Sequence, residues 1–254
     1  MNILCLIKQV PDSLEVHMGS DLTLQRDFVA QVLNHADESA VELALRLRDT
    51  HGGKVTAITM GPPRAEGTLR ELVSRGVDEA ILLTDKAFAG ADTLATARAL
   101  AAAAKQLGPF DLLLFGRRAA DGETGQVGPM TAALLGLPCI ANITAAEING
   151  DTLTAHQLIE TGTVHWETKL PAALTLCEWS YALRLPTMRG LRAAKQTSIR
   201  VMTPNDIGIE SPAQIGLKGS PTRVTHISVR PSGVRPTKWI TAEEAMQIAK
   251  EVRP

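Results

Sequence analysis

Asp111-Leu112-Leu113-Leu114-Phe115-Gly116-Arg117-Arg118-Ala119-Ala120-Asp121-Gly122-Glu123-Thr124-Gly125-Gln126-Val127-Gly128-Pro129-Met130 joins three patterns in one short stretch. An apolar run of strand length leads into a glycine-rich loop carrying arginines, a carboxylate and a threonine, and a helix start follows. Backbone amides at a helix N-terminus attract anions, and glycines let that backbone approach a phosphate closely. Arg117 and Arg118 add charge that pairs well with phosphate oxygens. The stretch reads as the phosphate or diphosphate cradle of a nucleotide site. A loop and cap without a ligand is the alternative, because one glycine-rich loop is not specific by itself.

Working outward, strands and helices alternate. Met1–Lys8 is an apolar run bounded by Pro11-Asp12, and Asn34-His35-Ala36-Asp37 offers capping oxygens before a helix with Val41, Ala44 and Leu45 at helical spacing. Lys54–Met60 is a second strand and ends at Gly61-Pro62-Pro63. A helix through Ala65, Leu69, Leu72 and Val73, a third strand at Glu79–Thr84, and an alanine-rich helix capped by Asp92 and Thr93 lead to the fourth strand at Asp111–Phe115. This rhythm predicts an α/β fold with βαβ crossovers and a doubly wound, mostly parallel sheet with a Rossmann-like nucleotide site. Ligands of such sheets sit beyond the carboxyl ends of the strands, where the order reverses. The segments after Lys8, at Asn34–Asp37, at Met60-Gly61 and at 116–128 should therefore converge.

From about Ile140 to Leu176 the pattern changes to alternating stretches near Asp151–Ile159 and Thr163–Lys169, which predict a small antiparallel meander. Met188–Gln196 reads as a short basic helix. Residues 1–200 are expected to form the nucleotide-binding domain, and 201–254, rich in Pro, Gly and Ser, an extended C-terminal arm. Thr241 and Glu244 have capping-box spacing, with Ile240 placed to staple onto Ala245, so a last helix is expected over about Thr241–Val252.

The 254 residues carry a net charge of −1, no dense basic block and 3% aromatics, a poor match for nucleic acid. With so few rings the core must be Ala, Leu, Val and Ile. Cys5, Cys139 and Cys177 are sparse, odd in number and without metal spacing, which points to a reducing cytoplasm. No apolar run approaches about 18 residues, so neither secretory signal nor membrane span is expected. His17, His35, His51, His156, His165 and His226 show no metal-ligand pairing in sequence. Neither a Gly-x-Gly-x-x-Gly after the first strand nor a Gly-x-Ser-x-Gly elbow occurs. Gly216-Leu-Lys-Gly-Ser220 lacks the full spacing of a phosphate loop.

Taken together, Lys8-Gln-Val-Pro-Asp12, Asn34-His-Ala-Asp-Glu38, Met60-Gly-Pro-Pro63, Arg117–Met130, Leu170-Pro-Ala-Ala-Leu-Thr175 and Met188-Arg-Gly-Leu-Arg-Ala-Ala-Lys195 carry a likeness that runs from end to end. The chain resembles the β subunit of electron transfer flavoproteins. The resemblance implies a heterodimer with an α subunit that carries a redox-shuttling FAD, and a terminal helix that packs on that partner. It implies an adenine nucleotide between the strand ends. In the common members this is a structural AMP. In electron-bifurcating members it is a second FAD, reduced by NADH, whose electrons are split between a low-potential acceptor such as ferredoxin or flavodoxin and a high-potential one. The 116–129 loop and Phe88-Ala-Gly-Ala-Asp92-Thr93 are spelled more like the bifurcating kind. Gly122 and Gly125 would free room and expose amides to a second phosphate. Arg118 stands where the family usually has Gln.

Carried over by position, the nucleotide contacts implied are the Leu6 backbone, Asn34, Ala36, Asp37, Met60, Asp92, Thr93, Arg117, Arg118, Ala119, Asp121, Gly122, Glu123, Thr124, Gly125, Gln126, Val127 and Gly128. Several have plainer readings: Asn34 and Asp37 as helix caps, Thr124 as the cap of the following helix, Asp92 and Thr93 as an N-cap. Asp121 suits loop amides or a ribose hydroxyl better than a phosphate. The family's Asn-x-Pro-Arg-Tyr stretch reads here Tyr181-Ala-Leu-Arg184-Leu185, which keeps the arginine. Arg184, Met188 and Arg189 fall where the family meets an acyl-CoA-type or related dehydrogenase, with Met188 as an apolar anchor; an exposed methionine is otherwise unremarkable surface. A non-redox nucleotide-sensing α/β protein could use the same cradle. A nucleotide-activating enzyme lacks its expected Ser-Gly-Gly motif.

Overall fold

β1 (Asn2–Leu6) is buried on both faces, and its alternate residues feed two different cores. Ile3, Cys5 and Ile7 join one cluster with Val41, Ala44, Leu69 and Leu72; Leu4 and Leu6 join another with Ala99, Leu100, Ala103 and Ala132. A period-2 strand with both faces apolar requires helices above and below it, which is the physical content of a doubly wound sheet. In this computed structural model, residues 1–12, 30–225 and 239–251 are described.

A short antiparallel pair, β2 (Gln9–Pro11) with β3 (Gln31–Leu33), precedes α1 (His35–His51). The chain continues through β4 (Lys54–Met60), α2 (Glu66–Ser74), β5 (Glu79–Leu83), α3 (Thr93–Leu107), β6 (Leu112–Gly116) and α4 (Val127–Leu135). Then come β7 (Cys139–Asn149), β8 (Thr152–Ile159), β9 (Gly162–Lys169), β10 (Ala172–Leu176), α5 (Met188–Gln196), β11 (Arg200–Met202) and α6 (Gly216–Gly219). The large sheet runs β11-β5-β4-β1-β6-β10-β7-β8-β9, parallel from β11 to β7 and antiparallel from β7 to β9. The expected α/β sheet is therefore present, and the meander extends it. β7 serves both parts: its first half pairs parallel with β10, its second half antiparallel with β8.

β1, β4 and β5 progress toward one edge, after which α3 carries the chain back to β6 on the other side of β1. The order reverses between β1 and β6. α3 buries Ala95, Ala97, Ala99, Ala101, Ala103 and Ala104, so a stripe of methyl groups lets it pack closely on the sheet and on α4. That is how a core with 3% aromatics stays filled. The chain contributes to this unit as far as Arg223: β11 adds to the sheet edge, and Ile207, Ile209 and Ile215 are buried against the α3 side.

The second unit, from Val224 on, holds α7 (Ala242–Glu251). The Glu244 N–H donates to Thr241 Oγ1 at 3.2 Å and the Thr241 N–H to Glu244 Oε2 at 2.8 Å, the reciprocal capping box read from the spacing. Val252, the last residue expected in that helix, lies outside the described residues, as do His17 and His226.

Candidate functional site

The carboxyl ends of β1, β6 and β10 lie side by side at the reversal, with Leu6 in register with Phe115 and Leu176 with Gly116. One carboxylate ties two of these ends together. Asp37 Oδ2 accepts the Lys8 N–H at 2.7 Å and Oδ1 accepts the Gly116 N–H at 2.9 Å. The helix begins at His35, so Asp37 sits within its first turn, 4% exposed, instead of capping it. Asn34 does occupy the N-cap position, yet its side chain makes no cap bond. Its Nδ2 donates to the Arg118 carbonyl at 2.9 Å, and its Oδ1 accepts the Ala120 N–H at 3.1 Å. Two residues with plain capping chemistry are thus spent on shaping the 116–120 loop from across the sheet end.

Burial pushes the Asp37 carboxyl up to about 7, against the opposing pull of the Lys8 and Gly116 amides, Asn34 and the Lys8 charge. A carboxyl raised from its ordinary 3.8 contributes stability that is complete below that value and is lost as pH rises through 7. Stability should therefore fall across this window, by at most about 1.4 kcal/mol per pH unit. Asp37→Asn should abolish that slope. It should also cost about 2–3 kcal/mol at acidic pH, because an NH₂ group then faces one of the two backbone donors. Denaturant titrations at pH 4.5 and 8 measure both effects, and parallel behaviour of the two proteins would refute the assignment.

Lys8 Nζ reaches Asp121 Oδ1 at 2.6 Å, and the Asp121 side chain is 3% exposed. Asp121 therefore anchors the loop. The Ala119 carbonyl accepts the Gly122 and Glu123 N–H groups at 3.3 and 2.8 Å. Glu123 and Gly125 are left-handed, with φ of 50° and 63°, and flank the exposed Thr124. Thr124 does not cap α4: Gln126 holds the N-cap position, without a side-chain cap bond, and Val127 and Gly128 begin the helix. The first-turn amides of a helix have no intrahelical acceptor. A Cβ at Gly128 would come within 2.8 Å of Thr175 Cγ2, so this glycine lets the helix start close to β6 and β10. A Cβ at Gly122 would meet nothing within 4 Å.

Arg117 and Arg118 converge on one carboxylate. The Arg117 N–H donates to the Leu176 carbonyl at 2.8 Å. Its Nε lies 2.6 Å from Glu178 Oε2, a close charge contact without hydrogen-bond alignment. Arg118 Nε donates to Glu178 Oε1 at 3.1 Å, and its Nη1 lies 3.7 Å from Glu123. Burial pushes Glu178 up, but its own backbone amide and the two arginines outweigh this and hold it below the usual carboxylate range.

Other expected positions fall around this mouth. Leu6 and Ala36 are buried, and Met60 ends β4 half-buried. The Thr93 hydroxyl meets Gln126 Oε1 at 3.1 Å and links the starts of α3 and α4. Asp92 is spent on structure: Oδ1 caps Ala95 at 2.9 Å while Oδ2 accepts the Thr222 N–H and hydroxyl at 3.0 and 2.8 Å. The Gly216–Ser220 stretch, discounted as a phosphate loop, is the short helix α6 with Ser220 as its C-cap, whose Oγ accepts the Asp92 N–H and donates to the Gly216 carbonyl. Arg184 lies away from the loop and is tied to α1 through Glu42 and Asp49. Met188 and Leu185 are exposed at 72% and 82%, and Arg189 is exposed.

Lys8 and Glu178 escaped the reading of the sequence as site residues. Lys8 had a usable signal, its place just after the first strand. Glu178 had none nearby, since it meets Arg118 across 60 residues of chain. Among the described residues no group of three or more His, Cys, Asp or Glu could hold a metal. No helix there is long and apolar enough to cross a membrane.

The residues present fit a phosphorylated ligand. The cradle offers unsubstituted backbone at Gly122, the start of α4 and two anchored guanidinium groups, the donor set that suits phosphate oxygens. The family model described as "Electron transfer flavoprotein domain" matches residues 21–207. A protein of Thermoanaerobacterium thermosaccharolyticum named electron transfer flavoprotein subunit beta is 44% identical over 90% of this chain and 88% of its own length. Protein FixA of Bradyrhizobium diazoefficiens is 40% identical over 98% of this chain and 88% of its own. CarD of Acetobacterium woodii, named as a subunit of a caffeyl-CoA reductase–Etf complex, is 40% identical over 88% and 86%. With the sheet, the strand-end cradle and these likenesses in agreement, the chain belongs to the electron transfer flavoprotein family, on its β-subunit side.

Proposed function

We propose that this chain pairs with an FAD-bearing α subunit and holds a second FAD of its own in the 116–128 cradle, as the β half of an NADH-dependent electron-bifurcating carrier. The observation that carries this reading is the open backbone at Gly122 between the anchored arginines and the start of α4. Uncovered backbone there would let a second phosphate sit beside the first. The bound flavin supplies the redox chemistry. Around it Arg117, Arg118 and the 124–128 amides bind the phosphates, Thr93 and Gln126 close one side, and the Leu6 backbone, Ala36 and Met60 line the nucleoside end. Asn34, Asp37, Lys8 and Asp121 hold the loop in place. Residues 1–200 form the nucleotide domain in this reading. The 201–254 region reaches the α subunit, with α7, whose Met246 and Ile248 are 60% and 49% exposed, packing on it.

The test is to purify the chain with its co-expressed α subunit and identify the nucleotides released by denaturation. Two FAD per dimer support the proposal. One FAD with one AMP overturns the second-flavin reading and leaves an ordinary carrier with a structural nucleotide. A chain that elutes with nucleotide but no flavin-bearing partner is a sensor, not a carrier.

Electrons would leave toward an acyl-CoA-type or related dehydrogenase, a choice supported by the name of the Acetobacterium relative, and toward a low-potential acceptor such as ferredoxin or flavodoxin. Met188, Arg189 and Arg184 are the residues proposed for the dehydrogenase contact. Met188→Glu should slow transfer to that dehydrogenase about tenfold while nucleotide content stays unchanged, because a carboxylate there must be desolvated at an apolar contact. Stopped-flow reduction of the complex measures it; an unchanged rate would remove Met188 from the interface.

A further inference from the structure

We infer that Glu178 is the positioning residue of the cradle: it orients Arg117 and Arg118 as a pair, so that their outer nitrogens are presented together to a phosphorylated ligand. The inference rests on the nucleotide reading above. The two arginines are adjacent in sequence and, left alone, their like charges would drive the side chains apart. Glu178 lies between them: its Oε2 stands 2.6 Å from Arg117 Nε as a charge contact, and its Oε1 accepts from Arg118 Nε at 3.1 Å. Its side chain is only 15% exposed, so the charges interact with limited solvent screening. Arg118, hydrogen-bonded through its Nε, has the plane of its guanidinium fixed with the terminal nitrogens left for phosphate oxygens, and Arg117 is held beside it by charge.

Position and fold support the same role. Glu178 follows β10, all of whose residues are buried, and the Cys177 N–H is bonded to the Ile143 carbonyl at 2.9 Å. The carboxylate therefore stands on a fixed platform. The next residue, Trp179, has a left-handed φ of 59°, a costly conformation for a bulky side chain, and its own side chain is 80% exposed. The chain turns abruptly just after Glu178 has been placed. Glu178 has one carboxylate oxygen against each guanidinium group.

Positioning and simple charge predict opposite results. Removing a negative charge beside an anion site would, by Coulomb's law alone, tighten binding. If orientation governs, Glu178→Gln loosens it, because a neutral amide loses the charge contact that holds Arg117 beside Arg118. In the purified αβ complex, Glu178→Gln should release the β-site nucleotide about tenfold faster than wild type, followed by FAD and AMP in the dialysate. In an Arg118→Gln background, itself expected to hold nucleotide less well, Glu178→Gln should speed release by clearly less than tenfold, because one of the two guanidinium groups it orients is gone. Circular dichroism of bound flavin in the visible should change in Glu178→Gln.

Equal or slower release in Glu178→Gln overturns the inference, and so does an equal acceleration by Glu178→Gln in the wild-type and Arg118→Gln backgrounds, which would mark Glu178 as a strut between the end of β10 and the loop. A wild-type complex without any β-site nucleotide would instead overturn the nucleotide reading itself. If Glu178→Gln fails to fold, Glu178→Asp still decides: a shorter carboxylate that keeps its charge should release nucleotide faster if orientation governs, and as wild type does if charge alone matters.

Discussion

Gly116→Ala is expected to cost about 3 kcal/mol of folding stability, the largest effect of any single methyl group near the site. A Cβ there would overlap Asp37 Oδ1 and stand 2.7 Å from Ala36 Cβ and 2.8 Å from the Ala36 carbonyl carbon. None of these atoms can yield cheaply, because two belong to the first turn of α1 and the third is the carboxylate that joins β1 to β6. Either α1 moves away from the sheet, opening a core that buries Ala36, Ala40 and Val41 completely, or the Gly116–Asp37 bond breaks. Both lead to the same consequence at the cradle, since Asn34 on the same turn shapes residues 118–120. Thermal unfolding should show a midpoint lower by about 10 °C. A midpoint within about 2 °C of wild type would mean that α1 and β6 are not in the close contact described.

Gly125→Val should instead leave the fold standing and empty the cradle. Gly125 has φ of 63°, a region β-branched residues avoid, and its Cβ would come within 3.3 Å of the Arg117 carbonyl. The loop must rearrange at a cost of about 1–3 kcal/mol, and the amides leading into α4 move with it. Nucleotide retained through purification should drop by about tenfold or more. Gly122→Ala is the informative companion, because its φ is ordinary and its Cβ meets no protein atom within 4 Å. Any loss of nucleotide in that variant reports contact with the ligand itself. Full nucleotide content in Gly125→Val would remove the 122–128 backbone from the binding site.

The two glycines illustrate different kinds of requirement. Gly116 serves the packing of helix on strand, and a ligand-free scaffold would need it equally. Gly125 serves the path of a surface loop, which in the proposed reading presents backbone amides to the nucleotide. The same distinction applies to the acids. Asp37 and Asp121 are consumed by the scaffold, whereas Glu178 is turned toward the groups that would meet an anion.

What the sequence determined by itself was the pattern of elements around the site. Apolar runs of strand length in Met1–Lys8 and Lys54–Met60, helical spacing in α1 and α2, and the loop after Phe115 were enough to predict a parallel sheet and a ligand beyond its strand ends. The Thr241/Glu244 capping box was equally legible. These features depend on neighbours two to four residues apart, and such neighbours are written consecutively in the chain. The tertiary structure alone decided what each polar side chain does. Asn34 and Asp37 look like caps, but their partners lie 84 and 79 residues away, at Arg118 and Gly116. His156 and His165, unpaired by spacing, face each other across β8 and β9 with ring centroids 4.2 Å apart. Arg117 and Arg118 could be recognised as phosphate-seeking residues from their surroundings in sequence. Their arrangement as a pair required Glu178, just beyond β10, because a charge finds its counter-charge through space, and which charges become neighbours is set only when the sheet has closed.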